Sequence, residues 1–481
     1  MKKLIILSFF LSISAFPQNH MQSFINRVNS LVSLDDKNTV VDSFINFVSP
    51  FGFPYIENNE ANFIYRGSVT SASVSGDFNS WGLTGMNNLS GTNFFYNTRV
   101  FEANARIDYK FVTNGSNWIL DPRNPNTCTG GFGPNSELAM PGYVQPWEIN
   151  SYPSIPKGQI ETRSIHSNNV NANYAVKVYL PPGYNSSRQY PSVYFHDGYE
   201  YIDLAKAANV LDNLIDSNLI EPVIGVFVKP NNRNEEYAGT KRNSYRLFFV
   251  NELVPYIDSI YSTKKDASQR LVLGDSYGGN ISALISYNHP EVFGNCGLHS
   301  AAFQPNGYEA YGLIVNGPVK NIKWVSVWGT YEGLFLNLRL FTDSMSAKGY
   351  NYKWVELPEG HSWGLWRANI DFIITHIFPP VPSGVSDDES STLPEENYLE
   401  QNYPNPFNSS TVINFSVSKE VFTTIKLFDV AGQEKQTLVN NFIPAGRHSL
   451  KLDLKNYASG VYLIRMTAEN FLSTKKIVLL R

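Results

Sequence analysis

Arg270-Leu271-Val272-Leu273-Gly274-Asp275-Ser276-Tyr277-Gly278-Gly279-Asn280 is the stretch on which the reading of this chain turns. An apolar run of strand character comes first, then a serine between glycines, then a pattern that reads as a helix through residue 288. The motif G-x-S-x-G in that strand–turn–helix setting puts a serine hydroxyl at the head of a helix, where amide dipoles favour an oxyanion. Glycines suit the turn because neighbouring backbone must approach closely. The hydroxyl itself is a poor nucleophile until a histidine takes its proton and an acid orients that histidine.

Outward from this turn, strand runs alternate with helical patterns over about 159–378, the signature of a mostly parallel sheet covered by helices. Strands are expected at 176–180, 192–195, 223–228, 271–274, 324–328 and 352–357, and helices at roughly 202–218, 245–262, 277–288, 334–348 and 365–377. In such a fold the reacting groups follow one another as serine, acid, histidine. The strand at 324–328 runs into Gly329-Thr330-Tyr331-Glu332-Gly333 and offers Glu332; the one at 352–357 runs into Pro358-Glu359-Gly360-His361-Ser362-Trp363 and offers His361. Asp343 and Glu359 compete with Glu332 as the acid. An oxyanion hole is expected from the backbone amide of Tyr277 and one from His196-Asp197-Gly198-Tyr199-Glu200, with that of Tyr199 favoured. His196 and Asp197 precede the serine and read as structural.

These pieces, with Arg233, Glu236, Tyr237, the segment Asn251-Glu252-Leu253-Val254-Pro255-Tyr256-Ile257-Asp258 and Trp366, resemble the esterase D-type α/β-hydrolases, which include enterochelin esterases and the feruloyl esterases of carbohydrate esterase family 1. The resemblance implies ester hydrolysis through an acyl-enzyme, with no cofactor and no metal. Asp275 and Tyr277 depart from many relatives and leave acyl specificity open. Arg233, expected in a loop after a strand, either meets a polar or carboxylate group of the substrate or pairs with Glu236. Trp363 is a second candidate for substrate contact.

Two further modules flank this one. Residues 21–48 show apolar positions at helical spacing, and 62–143 show short alternating strands with Gly and Asn turns, including 68–74, 93–101 and 107–112, which suggests a small β-sandwich. Val74-Ser75-Gly76-Asp77-Phe78-Asn79-Ser80-Trp81, Tyr109-Lys110-Phe111-Val112, Trp118 and Asp121-Pro122 resemble a family 48 carbohydrate-binding module. The resemblance implies sugar contact through Trp81, Lys110 and Trp118, with Asn135 an approximate match; the alternative is that the two tryptophans pack the sandwich or its interface. At the other end, Leu399-Glu400-Gln401-Asn402-Tyr403-Pro404-Asn405-Pro406-Phe407-Asn408, Pro444-Ala445-Gly446, Ala458-Ser459-Gly460-Val461-Tyr462 and the final Lys475-Lys476-Ile477-Val478-Leu479-Leu480-Arg481 resemble the sorting domain of type 9 secretion. That implies the type 9 machinery as partner and a secreted or cell-surface location; the alternative is a third, ligand-binding sandwich.

Lys2 and Lys3 before an apolar run at 4–13, then Ser14 and Ala15, read as a signal peptide. The expected organisation is therefore a signal peptide over 1–18, helices plus sandwich over 19–150, hydrolase over 151–380, a Pro-, Ser- and acid-rich linker over 381–397, and a small β-sandwich sorting domain over 398–481. The 481 residues carry 38 basic and 42 acidic groups, a net charge of −4, which argues against nucleic-acid binding and an electrostatic membrane anchor. With 42% hydrophobic residues, whole-chain disorder is excluded, and no mature stretch is long and apolar enough to span a bilayer. Cys128 and Cys296 lie far apart; a disulfide is compatible with export but not demanded, and Cys296 reads as a small buried thiol in the strand-like segment 294–299. The function expected is a secreted serine carboxylic ester hydrolase acting on feruloyl or acetyl esters of polysaccharide. The alternatives are a siderophore esterase of the enterochelin type and a catalytically inactive glycan-binding surface protein.

Overall fold

The computed structural model describes residues 19–380, 396–402, 405–430 and 432–480. The expected signal peptide, most of the expected linker, and Tyr403, Pro404 and Arg481 of the tail motif lie outside the described residues. The chain divides into two compact units: the described residues up to 380 form one, and those from 396 form the other.

An eight-stranded sheet organises the larger unit. Its order is Gln159–Ser167, Ala172–Leu180, Ile224–Val228, Ser192–Phe195, Arg270–Asp275, Asn295–His299, Lys323–Gly329 and Tyr352–Leu357. The first three run antiparallel in sequence and the remaining pairs are parallel. The central strands are buried along their whole length because helices cover both faces, and they are apolar for that reason. One helical layer joins Phe248, Phe249, Leu253, Ile281 and Ile285 to one face; the other joins Leu211, Leu214, Ile370, Ile373 and Ile374 to the opposite face.

Several elements differ from the sequence expectation. The helix expected at 202–218 is two, Gly198–Asp203 and Ala207–Asp216, because Lys206 takes a left-handed conformation between them. That expected at 245–262 passes through a wide π-type turn at Phe249–Leu253 before Val254–Ile260; Pro255 lacks the N–H that a regular turn uses, and the wide turn accommodates it. The strand placed at 68–74 begins later, as Ala72–Gly76. Sequence reading missed the edge strand Gln159–Ser167, whose alternating polar residues face solvent, and the helix Pro305–Asn316, which is broken by left-handed Asn306, Gly307 and Tyr308. Cys128 and Cys296 are both buried and unpaired.

Two helices open the described chain, His20–Ser30 and Leu34–Val48, each capped by a side chain, Asn19 and Ser33. Their apolar faces pack on Tyr55, Ile64 and Phe94 of a four-stranded sheet and on Leu89 just beyond one of its strands. A six-stranded sheet, including Ala72–Gly76, Arg106–Thr113 and Gly133–Ala139, faces it across Phe63, Val74, Ile107, Tyr109 and Leu138. Tyr331 of the hydrolase packs against that same cluster. The second unit pairs a three-stranded with a four-stranded antiparallel sheet around Phe407, Ile413, Phe415, Ile425, Leu427, Ile464 and Ile477. Its strands alternate buried and exposed residues, as a two-layer sandwich requires.

Candidate active site

Ser276 lies between the fifth strand of the large sheet, which ends at Asp275, and the helix Tyr277–Asn288, with φ 52° and ψ −117°. Such a positive φ in a non-glycine residue is strained, and the surroundings hold it: the Ser276 amide donates to the His299 carbonyl at 2.8 Å, and the Ala302 amide donates to the Ser276 carbonyl at 2.9 Å. A Cβ on Gly274 would lie 2.4 Å from the Gly278 backbone, and one on Gly279 would lie 2.9 Å from Ala301. The Ser276 hydroxyl makes no cap bond to its own helix.

His361 follows the last strand. Its Nδ1 lies 2.5 Å from Glu332 Oε2, and Glu332 Oε1 accepts from the Gly329 amide at 3.1 Å. Glu332 is buried while His361 keeps a third of its side chain exposed. With Nδ1 engaged by the carboxylate, Nε2 is the nitrogen left to face a hydroxyl. The ring stands edge-on to Trp366 at 5.0 Å, and Trp366 is fixed in turn by its Nε1 donating to Ser300 Oγ. The competing acids go elsewhere: Asp343 is exposed on the helix Phe335–Ala347, and Glu359 is buried against Arg106.

Ser276 and His361 line one cavity of about 700 Å³, and residues of the N-terminal sandwich complete its wall. Trp81, Lys110, Trp118 and Asn135 face the same space as Ser276, Trp363 and Arg233. The tryptophans thus lie where the sandwich meets the hydrolase and not in the sandwich core: Trp118 is 46% exposed, and Trp81 is half-buried with its Nε1 donating to Asp77 Oδ1 at 3.1 Å. Sequence reading missed Phe132, fully exposed at the tip of the hairpin Thr127–Gly130/Gly133–Ala139 and also lining the cavity. The signal was present, an aromatic bracketed by glycines in Gly130-Gly131-Phe132-Gly133.

Arg233 opens a short helix, Arg233–Tyr237, rather than lying in a loop, and it does not pair with Glu236. Its Nε donates to both oxygens of Asp197 at 2.9 Å, and its terminal nitrogen reaches the carbonyl and carboxyl of Asp275. Glu236 instead accepts from the Tyr174 hydroxyl. Burial pushes Asp275 well above the usual carboxylate range, with the charge of Asp197 adding to it. Burial alone would lower Arg233, and the two carboxylates more than offset that, so the guanidinium stays charged. His196 is buried among Tyr237, Tyr245 and Phe249, and burial, then the nearby Arg233 charge, pushes it down to about 3; it is neutral and structural.

Tyr277 and Tyr199 each lie in the first turn of a helix, where amides lack intrahelical acceptors. Neither residue is part of the cavity lining, which in the second loop consists of Asp197 and Glu200. The Tyr199 ring lies under Lys177 and Lys229 instead. Among the described residues no group of three or more His, Cys, Asp or Glu is placed to hold a metal ion, and no helix is long and apolar enough to cross a membrane.

The large sheet, with a strained serine between its fifth strand and the helix that follows, has the α/β-hydrolase fold. Residues 167–356 match the family model described as putative esterase, and residues 401–480 match that of a secretion system C-terminal sorting domain. It is 28% identical over 229 residues to the Bacillus subtilis protein YjcH, covering 44% of this chain and 95% of that one. It is 29% identical over 159 residues to an endo-1,4-beta-xylanase/feruloyl esterase of Xylanibacter ruminicola, covering 30% of this chain and 22% of that protein. In fold it resembles the enterobactin esterase of Shigella flexneri, with TM-score 0.57 and 19% identity over 67% of this chain and 94% of that one. The ferric enterobactin esterase of Salmonella typhimurium gives TM-score 0.59 and 19% identity over 66% and 93%.

Proposed function

We propose that this protein is an exported serine carboxylic ester hydrolase in which Ser276 is the nucleophile, His361 the general base and acid, and Glu332 the residue that orients and charges the imidazole. The observation that carries this reading is the 2.5 Å bond from His361 Nδ1 to a buried Glu332, in a cavity whose lining includes a strained serine at a helix start. His361 Nε2 takes the Ser276 proton as Oγ attacks the ester carbonyl carbon. The tetrahedral oxyanion is held by the Tyr277 amide and by a first-turn amide of the helix Gly198–Asp203, for which Tyr199 is the candidate. Collapse expels the alcohol, which leaves with the proton from His361; water, deprotonated by the same nitrogen, then releases the acid and restores Ser276. Substituting Ser276→Ala tests this: hydrolysis of a small chromogenic ester should vanish, and persisting turnover in the purified variant sinks the mechanism and favours an inactive binding protein.

For the substrate, a feruloyl or acetyl ester on a polysaccharide is the reading best supported. The wall next to Ser276 presents Trp81, Trp118, Phe132 and Trp363, faces suited to sugar or aryl rings. The same cavity has five carboxyl side chains against Lys110 and Arg233, and Arg233 is already paired with Asp197 and hydrogen-bonded to Asp275. Burial shifts Asp77, Asp197, Glu200 and Asp275 toward the protonated form, yet the Arg233 guanidinium is tied to Asp197 and Asp275 and Lys110 is the other basic side chain of the lining, a weak match for a polyanionic ferric catecholate. The relative named as a feruloyl esterase supports the same choice. Export is proposed to begin at the signal sequence over 1–18 and to end, through the sorting domain, outside the cell or on its surface by the type 9 route. Side-by-side hydrolysis of methyl ferulate, acetylated xylan and a catechol siderophore ester decides the substrate; preference for the siderophore ester would overturn the polysaccharide reading.

A further inference from the structure

Arg106 begins a strand of the N-terminal sandwich, yet its surroundings belong as much to the hydrolase. The side chain is wholly buried. Its Nε and one terminal nitrogen donate to Glu137 at 3.0 and 2.7 Å, that nitrogen also reaches Asp108 at 2.7 Å, and the other donates to Ser362 Oγ at 3.2 Å and lies 3.8 Å from Glu359. The Arg106 amide donates to the Pro358 carbonyl at 3.1 Å, and the two backbones pair locally between Arg106 and Glu359. Pro358, Glu359 and Ser362 are the residues on either side of His361. The loop has glycines where the sandwich presses on it: a Cβ on Gly360 would lie 2.0 Å from Asp77, and one on Gly364 would lie 1.9 Å from the Arg106 guanidinium. The acid loop is tied in the same way, since Tyr331, next to Glu332, donates its hydroxyl to Glu102 at 2.7 Å and its amide to the Glu359 carbonyl at 3.0 Å.

We propose that the sandwich is a positioning element for the catalytic pair, with Arg106 the residue that sets the His361 loop. A docking surface alone would not require a buried cation, because well-packed apolar residues serve that purpose at least as well. What a guanidinium bonded at every nitrogen adds is a fixed geometry, and here two of its hydrogen-bond partners are the carboxylates of Glu137 and Asp108 and the third is the residue after His361. The inference rests on His361 being the base. Arg106 touches no reacting atom and acts through that loop.

Arg106→Lys, Ser362→Ala and Tyr331→Phe in the full chain test it, with kcat, KM and the pH profile of kcat/KM on a small chromogenic ester, and thermal melting to show that each is folded. Arg106→Lys should lower kcat by about a hundredfold and Ser362→Ala by about tenfold, the loss expected when a reacting group is displaced by an ångström or less. KM should stay within about twofold, and the acid limb of kcat/KM should shift, because the bond between His361 and Glu332 is what that limb senses. If Arg106→Lys does not fold, the other two variants decide. Folded variants with kcat within about twofold of the parent and an unmoved acid limb overturn the proposal. His361→Ala separates this from failure of the underlying mechanism: if it retains activity, the triad reading falls; if it is inactive while the other variants are normal, only the positioning role falls.

Discussion

Three acids compete in the sequence for the imidazole of His361, and their surroundings separate them. Glu332 is buried with one oxygen on the histidine and the other on a backbone amide, whereas Asp343 faces solvent. Replacing Glu332→Gln keeps the shape but removes the charge that stabilises an imidazolium, so kcat should fall at least about a hundredfold with KM little changed. Steady-state kinetics on a soluble ester check this. Glu359 has a different role, which pH reveals. Burial pushes it up to about 7 from 4.5, against the opposing pull of Arg106. Between those values the unfolded chain has released its proton and the folded chain still holds it, so stability falls as pH rises through this window and levels above it. Glu359→Gln should flatten the loss in melting temperature between pH 5 and pH 8; an unchanged slope contradicts the assignment. Some slope will remain, because burial also raises Glu148 to about 7.

The elements that carry Ser276 were the easiest to read, since strand Arg270–Asp275 and helix Tyr277–Asn288 are set by local signals: an apolar run, a glycine turn and helical spacing. The glycines do a tertiary job as well. Gly274→Ala, meeting backbone at 2.4 Å, should destabilise the protein more than Gly279→Ala, which meets Ala301 at 2.9 Å. The second should cost about 1–3 kcal/mol by urea denaturation, the range for overpacking. Elements set by distant partners were harder. The edge strand Gln159–Ser167 has polar residues on its outer face and a register fixed only by Ala172–Leu180, so its own sequence gives a weak signal. The short helix Arg233–Tyr237 is held by Asn232 at its cap and by the Asp197 carboxylate and the Asp275 carbonyl, which lie 36 and 42 residues away.

At the scale of the molecule, the candidate sugar contacts Trp81, Lys110 and Trp118 were legible through motif resemblance. Their place in the wall of the serine cavity was not, because it depends on how two modules pack, through Arg106 and Tyr331, and such long-range contacts leave no periodic trace. The shared cavity predicts that Trp118→Ala loses more activity on an acylated oligosaccharide than on methyl ferulate, by about five- to tenfold in KM, as expected for one stacked ring. Equal effects on both substrates would remove the glycan role. Everything proposed for this site depends on an acyl-enzyme forming at Ser276. Its most direct test is intact-mass and peptide analysis of protein quenched during turnover of a slow ester or treated with a fluorophosphonate. A single adduct on Ser276, absent from Ser276→Ala, is the predicted result; an adduct on another residue, or ester turnover with no covalent species and no dependence on Ser276, contradicts it.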